Sequence, residues 1–195
     1  MAFNISSFRS NMLGDGARAN LFEVTLRLPR ALETLPGVQS LAGQGIAETS
    51  RFLVRAAQLP GSTIGTVNVP YFGREVKFAG NRTFADWTVT VINDEDFKIK
   101  NTFERWLDYV NSHAGNRRQS SDPANKLDYF AQLGVTQYSK SGGAGIKKYT
   151  FVDAFPVDVS PIDLNWGDND SIEEFTITFA YQYWISDTTD QKNPG

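Results

Sequence analysis

Between Phe78 and Asp96 the chain reads FAGNRTFADWTVTVINDED, and few arrangements satisfy that order. Gly80-Asn81-Arg82 has turn composition. Trp87, Val89 and Val91 then alternate with Asp86, Thr88 and Thr90, the period-two pattern of a strand with one buried face. The acidic cluster Asn93-Asp94-Glu95-Asp96 follows, and from Glu95 to Ser112 the pattern becomes helical, with Ile99, Phe103, Trp106, Leu107 and Val110 on one stripe. Asn93 or Asp94 can cap that helix, and the carboxylates of its first turn suit the helix dipole. Trp87 and Trp106 are core candidates.

The rest of the chain adds strands. Leu21 to Leu28 sets Phe22, Val24, Leu26 and Leu28 on one face and Glu23, Thr25 and Arg27 on the other. A second run spans Arg51 to Leu59 through Phe52, Val54 and Ala56. STIGTVNVPY and REVKFAG flank Phe72-Gly73 and read as a long hairpin over 62–80. Asp128 to Tyr138 is a weaker strand, and Lys147 to Phe155 and Val157 to Leu164 read as two strands around Pro156. Phe175, Ile177, Phe179, Tyr181 and Tyr183 alternate along a final strand, with Phe175 and Phe179 as core candidates. The expectation is a mainly β protein, an antiparallel β-sandwich or barrel of about eight strands with one flanking α-helix and a long protruding hairpin. Its 195 residues divide into an N-terminal arm (1–19), one β domain (20–185) and a C-terminal tail (186–195). Residues 30–50 form a long loop with a short helix near Arg30 to Leu35, and 114–125 and 165–171 are polar turns.

Catalytic chemistry has little to work with. There is no cysteine, which excludes disulfides, thiolate zinc sites and thiol catalysis. The single histidine, His113, falls at the end of the helix. Gly142-Gly143-Ala144-Gly145 lacks the Lys-Ser/Thr of a phosphate loop and reads as a hairpin tip. Asp94-Glu95-Asp96 is explained by capping, and Asp168, Asp170, Glu173 and Glu174 do not follow calcium-loop spacing. No cofactor is implied. The net charge of −3 argues against a DNA-gripping surface, despite the pairs Arg117-Arg118 and Lys147-Lys148. No apolar run is long enough to span a membrane, and the N-terminal stretch does not read as a secretory leader. The arm, the loop at 30–50 and the hairpin carry apolar residues beyond what a lone domain needs, which points to protein contacts.

Three motifs carry a resemblance. They are Ala19-Asn20-Leu21-Phe22-Glu23-Val24; Ala79-Gly80-Asn81-Arg82-Thr83-Phe84-Ala85-Asp86-Trp87-Thr88-Val89-Thr90-Val91-Ile92-Asn93-Asp94; and Leu164-Asn165-Trp166 with Glu174-Phe175-Thr176-Ile177 through Tyr183-Trp184. In that order they resemble the tail tube proteins of T-even-type contractile-tailed bacteriophages, the middle one being close to AGDRTFDDWTVTVxND with Asn81 in place of an acid. The resemblance implies a non-enzymatic virion protein, made in the host bacterial cytoplasm. Its copies form hexameric rings that stack into the inner tube of a contractile tail, in contact with sheath, baseplate and neck proteins. A tube-capping protein of the baseplate or neck and a type VI secretion tube subunit are alternatives, with a hydrolytic β-sandwich as the remote one. The hairpin is expected at subunit contacts, through Tyr71, Phe72, Arg74 and Arg82. Genomic DNA is expected to pass without specific binding along a bore lined by a polar, non-basic strand face. The lining candidates are Glu23, Thr25, Thr176, Thr178 and Gln182, because a basic lining would hold phosphates and slow transit.

Overall fold

A computed structural model describes residues 4–12, 16–33, 46–118, 128–143 and 145–189. Its elements in chain order are α1 (Ile5–Asn11), β1 (Phe22–Thr25), α2 (Arg30–Glu33), α3 (Ile46–Leu53), β2 (Val54–Ala57), β3 (Thr63–Tyr71), β4 (Arg74–Thr83), β5 (Trp87–Ile92), α4 (Lys98–Val110), β6 (Ala131–Tyr138), β7 (Gly145–Val159), β8 (Glu174–Ala180) and β9 (Tyr183–Ser186). Residues 34–45 of the expected loop, 119–127 of the polar turn, and 190–195 of the tail lie outside the described residues.

Seven strands form one antiparallel system in the order β1-β6-β7-β8-β5-β2, with β9 added on β7; β3 and β4 form a separate two-stranded sheet. The path stays open, since among the described residues no ladder joins β1 to β2, so the fold is a sandwich and not a closed barrel. β7 is the shared strand. Up to Ala154 it pairs with β6 and β9, and from Phe155 onward it pairs with β8. The change of sheet coincides with Asp153 at φ 54° and a register shift between Pro156 and Asp158. A bulge bends a strand and re-aims it, and proline, lacking an N–H, is tolerated at such a break. Pro156 therefore bends one strand and does not divide two.

The last strand is interrupted for the same reason. β8 follows the second half of β7 and β9 follows the first half, so the chain must cross between sheets at Tyr181-Gln182. Inward-facing Trp87, Val89, Val91, Phe175, Ile177 and Phe179 meet Val24, Leu133, Val135 and Phe151 in one core. The indole of Trp87 stacks on Phe151 at 4.2 Å and donates to Gln58 O at 2.7 Å.

α4 closes this core with Ile99, Thr102, Phe103, Trp106 and Tyr109. Thr102 is accommodated because its hydroxyl donates to Lys98 O at 2.7 Å. Trp106 Nε1 donates to Tyr129 O at 3.0 Å, and Phe103 meets Phe179 edge-on at 5.6 Å. The helix begins later than its sequence pattern suggests. Glu95 and Asp96 form a turn, Phe97 takes the N-cap position at φ 52°, and the Asp94 carboxylate accepts from Lys98 N at 3.0 Å.

Arg51 to Leu53 belongs to α3 and not to a strand, which leaves Phe52 82% exposed. Ile46 and Ser50 are one turn apart on the buried face of α3. Ser50 Oγ accepts from Leu26 N at 3.3 Å and donates to Ala47 O at 3.0 Å, fixing the helix to the end of β1. The arm contains α1, on which Ile5 and Phe8 are exposed, as is Met12 just beyond its end. No described helix is long and apolar enough to cross a membrane.

Candidate interaction surfaces

The hairpin β3–β4 is exposed along almost its whole length. Tyr71 pairs with Arg74 across the two-residue loop Phe72-Gly73, in which both residues have positive φ, 44° and 80°. That is the backbone of a type I′ turn, whose twist matches that of the strands. Glycine takes this conformation freely, whereas a bulky side chain in it costs about 1–2 kcal/mol. Phe72 is nevertheless there, 92% exposed, with its ring edge-on to Tyr71 at 4.7 Å.

Register sorts the hairpin into two faces. Val67 opposes Phe78, Val69 opposes Val76 and Tyr71 opposes Arg74 on one side; Thr66, Asn68 and Pro70 oppose Ala79, Lys77 and Glu75 on the other. The first face is apolar up to Arg74 at the tip, and Val67, Val69, Tyr71, Val76 and Phe78 on it are exposed among the described residues. Gly80-Asn81-Arg82, a turn by composition, is strand. A Cβ on Gly80 would lie 3.0 Å from Gly65 O, so glycine permits the strands to approach at the register shift beside Ile64. Arg82 lies opposite Ile64, is exposed, and makes no ion pair with Asp86 among the described residues.

The lining candidates fall on different sheets. Glu23 and Thr25 lie on the outer face of β1, in register with Thr136 and Gly134. Glu23 is engaged within the subunit: its carboxylate meets Arg51 Nε at 2.6 Å and accepts from the Tyr138 hydroxyl at 2.6 Å. That hydrogen bond, then burial and the neighbouring negative charge, hold the Tyr138 phenol above its usual pKa. Thr176 and Thr178 lie on the outer face of β8, opposite Thr90 and Thr88, and form a threonine ladder across two strands. Gln182 is exposed in the link between β8 and β9. Because the core lies between the sheets, these two outer faces point away from each other.

The β7–β8 connection supplies a further surface. Leu164, Trp166 and Ile172 are exposed there with Asp163, Asp168 and Asp170, and Asp163, Leu164, Asp168 and Ile172 line a groove of about 330 Å³. The signal for this surface in the sequence is a set of apolar residues, Leu164, Trp166 and Ile172, set within an acidic turn. His113 Nδ1 lies 2.9 Å from Asp108 Oδ1 on the surface, and its hydrogen bonds hold the Asp108 carboxyl below its usual pKa. Among the described residues no group of three His, Asp or Glu is placed to hold a metal.

The described residues thus form an open antiparallel sandwich from which an exposed, amphipathic hairpin extends. Residues 17–187 match the family described as phage tail tube protein. Over 171 residues, 88% of this chain and 92% of the relative, the sequence is 31% identical to the tail tube protein gp19 of Enterobacteria phage T4. It is 25% identical over 185 residues to the tail tube protein of Serratia phage KSP90, covering 94% of this chain and 97% of that one. The chain belongs to the phage tail tube protein family, structural proteins of the virion. Solved structures share the fold. A chain of the anti-feeding prophage baseplate superposes with TM-score 0.60 at 15% identity, covering 88% of this chain and 95% of that one. A chain of the sheath/tube terminator of an extracellular contractile injection system does so with TM-score 0.60 at 12% identity, covering 90% and 99%.

Proposed function

We propose that this chain is the repeating subunit of the inner tube of a contractile phage tail. Six copies close into a ring, rings stack head to tail into a hollow tube, and the genome leaves through the bore. The sheath encloses the tube, and baseplate and neck proteins bound its ends. The subunit is a structural part without catalytic activity.

The observation that supports this reading is the hairpin. An isolated two-stranded hairpin is marginal in water, and one with an uncovered face of Val67, Val69, Tyr71, Val76 and Phe78 needs a neighbour. A second copy supplies it. Contacts between unlike patches of identical chains generate rings when the rotation closes and open stacks when it does not.

The bore is lined by the outer face of β5 and β8, with Thr88, Thr90, Thr176 and Thr178. The ladder itself is uncharged and is flanked on this face by Asp158, in register with Thr178, and by Glu174, engaged by Arg55, whereas the cations Arg27 and Lys148 lie beside Thr25 on the other sheet. Uncharged hydroxyls neither bind phosphates by charge nor repel them strongly, so DNA slides.

Electron microscopy of the purified protein tests the proposal. Rings that stack into tubes support it. Single rings that never stack point to a tube cap, and protein that stays monomeric at high concentration overturns it.

A further inference from the structure

We propose that the outer face of the β1–β6–β7 sheet carries a binding site for a single phosphate group, floored by Gly134 and held by Arg27 and Lys148. Gly134 of β6 lies opposite Thr25 of β1 on one side and opposite Thr150 of β7 on the other. Neighbouring strands are about 4.8 Å apart, so the two threonines stand about 10 Å apart across a residue with no side chain. The result is a dip of about 140 Å³ whose lining includes Thr25, Arg27, Gln132, Gly134, Lys148 and Thr150. The fold does not need glycine here. Gly134 is not among the residues with positive φ, and a Cβ there would meet nothing closer than the Tyr149 carbonyl oxygen at 3.6 Å. Glycine inside a strand weakens it, and one that neither backbone nor packing requires marks a place that something else approaches.

The dip is cationic, and its donors are idle. Lys148 lies two residues before Thr150 on β7, and Arg27 lies two residues after Thr25, just past the end of β1. Because β1 and β7 both run antiparallel to β6, these cations stand at opposite corners of the dip. Both are exposed, and the side chains of Thr25, Arg27, Gln132, Lys148 and Thr150 make no hydrogen bond or ion pair among the described residues. Glu23, in the same row as Lys148, is taken up by Arg51 and the Tyr138 hydroxyl and does not line the dip. Guanidinium and ammonium groups hold phosphate oxygens by charge-assisted hydrogen bonds, and the two hydroxyls and the Gln132 amide can donate to the remaining oxygens. Two cations also match the charge of a phosphate monoester or of inorganic phosphate near neutral pH. A nucleic-acid chain needs a stripe of free cations along its backbone, whereas the nearby Arg51 and Lys147 are already paired with Glu23 and Asp187. The site belongs to one subunit and lies on the face opposite to the β5–β8 ladder, apart from the proposed bore.

Titration calorimetry of the full chain with inorganic phosphate, in chloride buffer at constant ionic strength, tests the site. Wild type should bind one phosphate per subunit. Arg27→Gln and Lys148→Gln should each weaken binding about tenfold or more, since each removes a charge-assisted hydrogen bond. Gly134→Val separates the site from the fold. A β-branched residue suits a strand, so the melting temperature of this variant should equal or exceed that of wild type while phosphate binding is lost. Gly134→Ala fills less of the dip, should weaken binding by a smaller factor, and serves if valine prevents folding. Acetate, with one charge and two oxygens, should bind about tenfold more weakly than phosphate. The inference is overturned by binding that does not saturate below about 10 mM, or by a folded Gly134→Val that binds like wild type. Acetate binding as tightly as phosphate would also overturn it, because that is mere screening of exposed cations. So would a short single-stranded DNA that binds where inorganic phosphate does not, which would assign this face to a nucleic-acid chain. Each of these results leaves the tube reading untouched, and a failure to form tubes leaves the phosphate site untouched.

Discussion

Trp87 of β5 stacks on Phe151 of β7 at 4.2 Å, and through this contact the two sheets share one core. Phe179 flanks Trp87 at 5.7 Å and Phe103 of α4 at 5.6 Å, so the same aromatic cluster also holds the helix. Trp87 is 2% exposed, and its replacement by alanine opens a cavity that rigid strands fill poorly. Trp87→Ala should destabilise the subunit by about 3–5 kcal/mol, measured by denaturant unfolding. A loss below about 1 kcal/mol would show that the sheets do not depend on this ring.

Phe72 separates folding from assembly. Its backbone is in the left-handed region while its ring gains little within the subunit. Phe72→Gly should leave the subunit's melting temperature unchanged or slightly raised, since it removes a strain of about 1–2 kcal/mol. The same variant should assemble less well, because the exposed ring is lost from the hairpin tip. A large fall in subunit stability would contradict this division.

Tyr138 ties β6 to β1 through Glu23. Tyr138→Phe leaves a charged acceptor with one donor fewer and should cost about 1.5–3 kcal/mol, read from chemical denaturation at neutral pH. The pH dependence has a definite sign. The folded phenol holds its proton more tightly than the unfolded one, so the stabilisation is complete below the ordinary tyrosine pKa of about 10 and is lost as pH rises through the folded value. Tyr138→Phe should flatten that alkaline decline; an unchanged decline would assign it elsewhere.

The bore assignment predicts an effect on genome release. Thr176→Lys with Thr178→Lys would place a basic ring on the β5–β8 face. Phage carrying it should assemble tails yet eject DNA more slowly, with the difference shrinking as salt rises. Ejection at the wild-type rate and salt dependence would move the bore to another face.

Much of this fold is legible in the sequence where one physical pattern dominates. Trp87-Val89-Val91 and Phe175-Ile177-Phe179 alternate cleanly because each strand has one buried face, and Phe72-Gly73 sits between two strand-like runs. What is hidden depends on tertiary pairing. Pro156 reads as a strand break, although β7 continues through it by changing sheets. Tyr181 and Tyr183 prolong the alternation across the point where the chain leaves β8 for β9. Phe52-Leu53-Val54 is a short apolar run that suits a strand, whereas the helix that contains Phe52 and Leu53 is fixed by the tertiary bond of Ser50 to Leu26 and by its local bond to Ala47. The surfaces are legible in part. Their polarity is written in the residues, but alternation cannot say which outer face a polar side chain shares with another strand: Glu23 and Thr25 lie on β1, whereas Thr176 and Thr178 lie on β8.

A cryo-electron microscopy reconstruction of the assembled protein, at a resolution that shows side chains, decides whether the hairpin builds the tube. The predicted result is stacked rings in which a neighbouring copy covers Val67, Val69, Val76 and Phe78. Stacked rings that leave this face in solvent would contradict it.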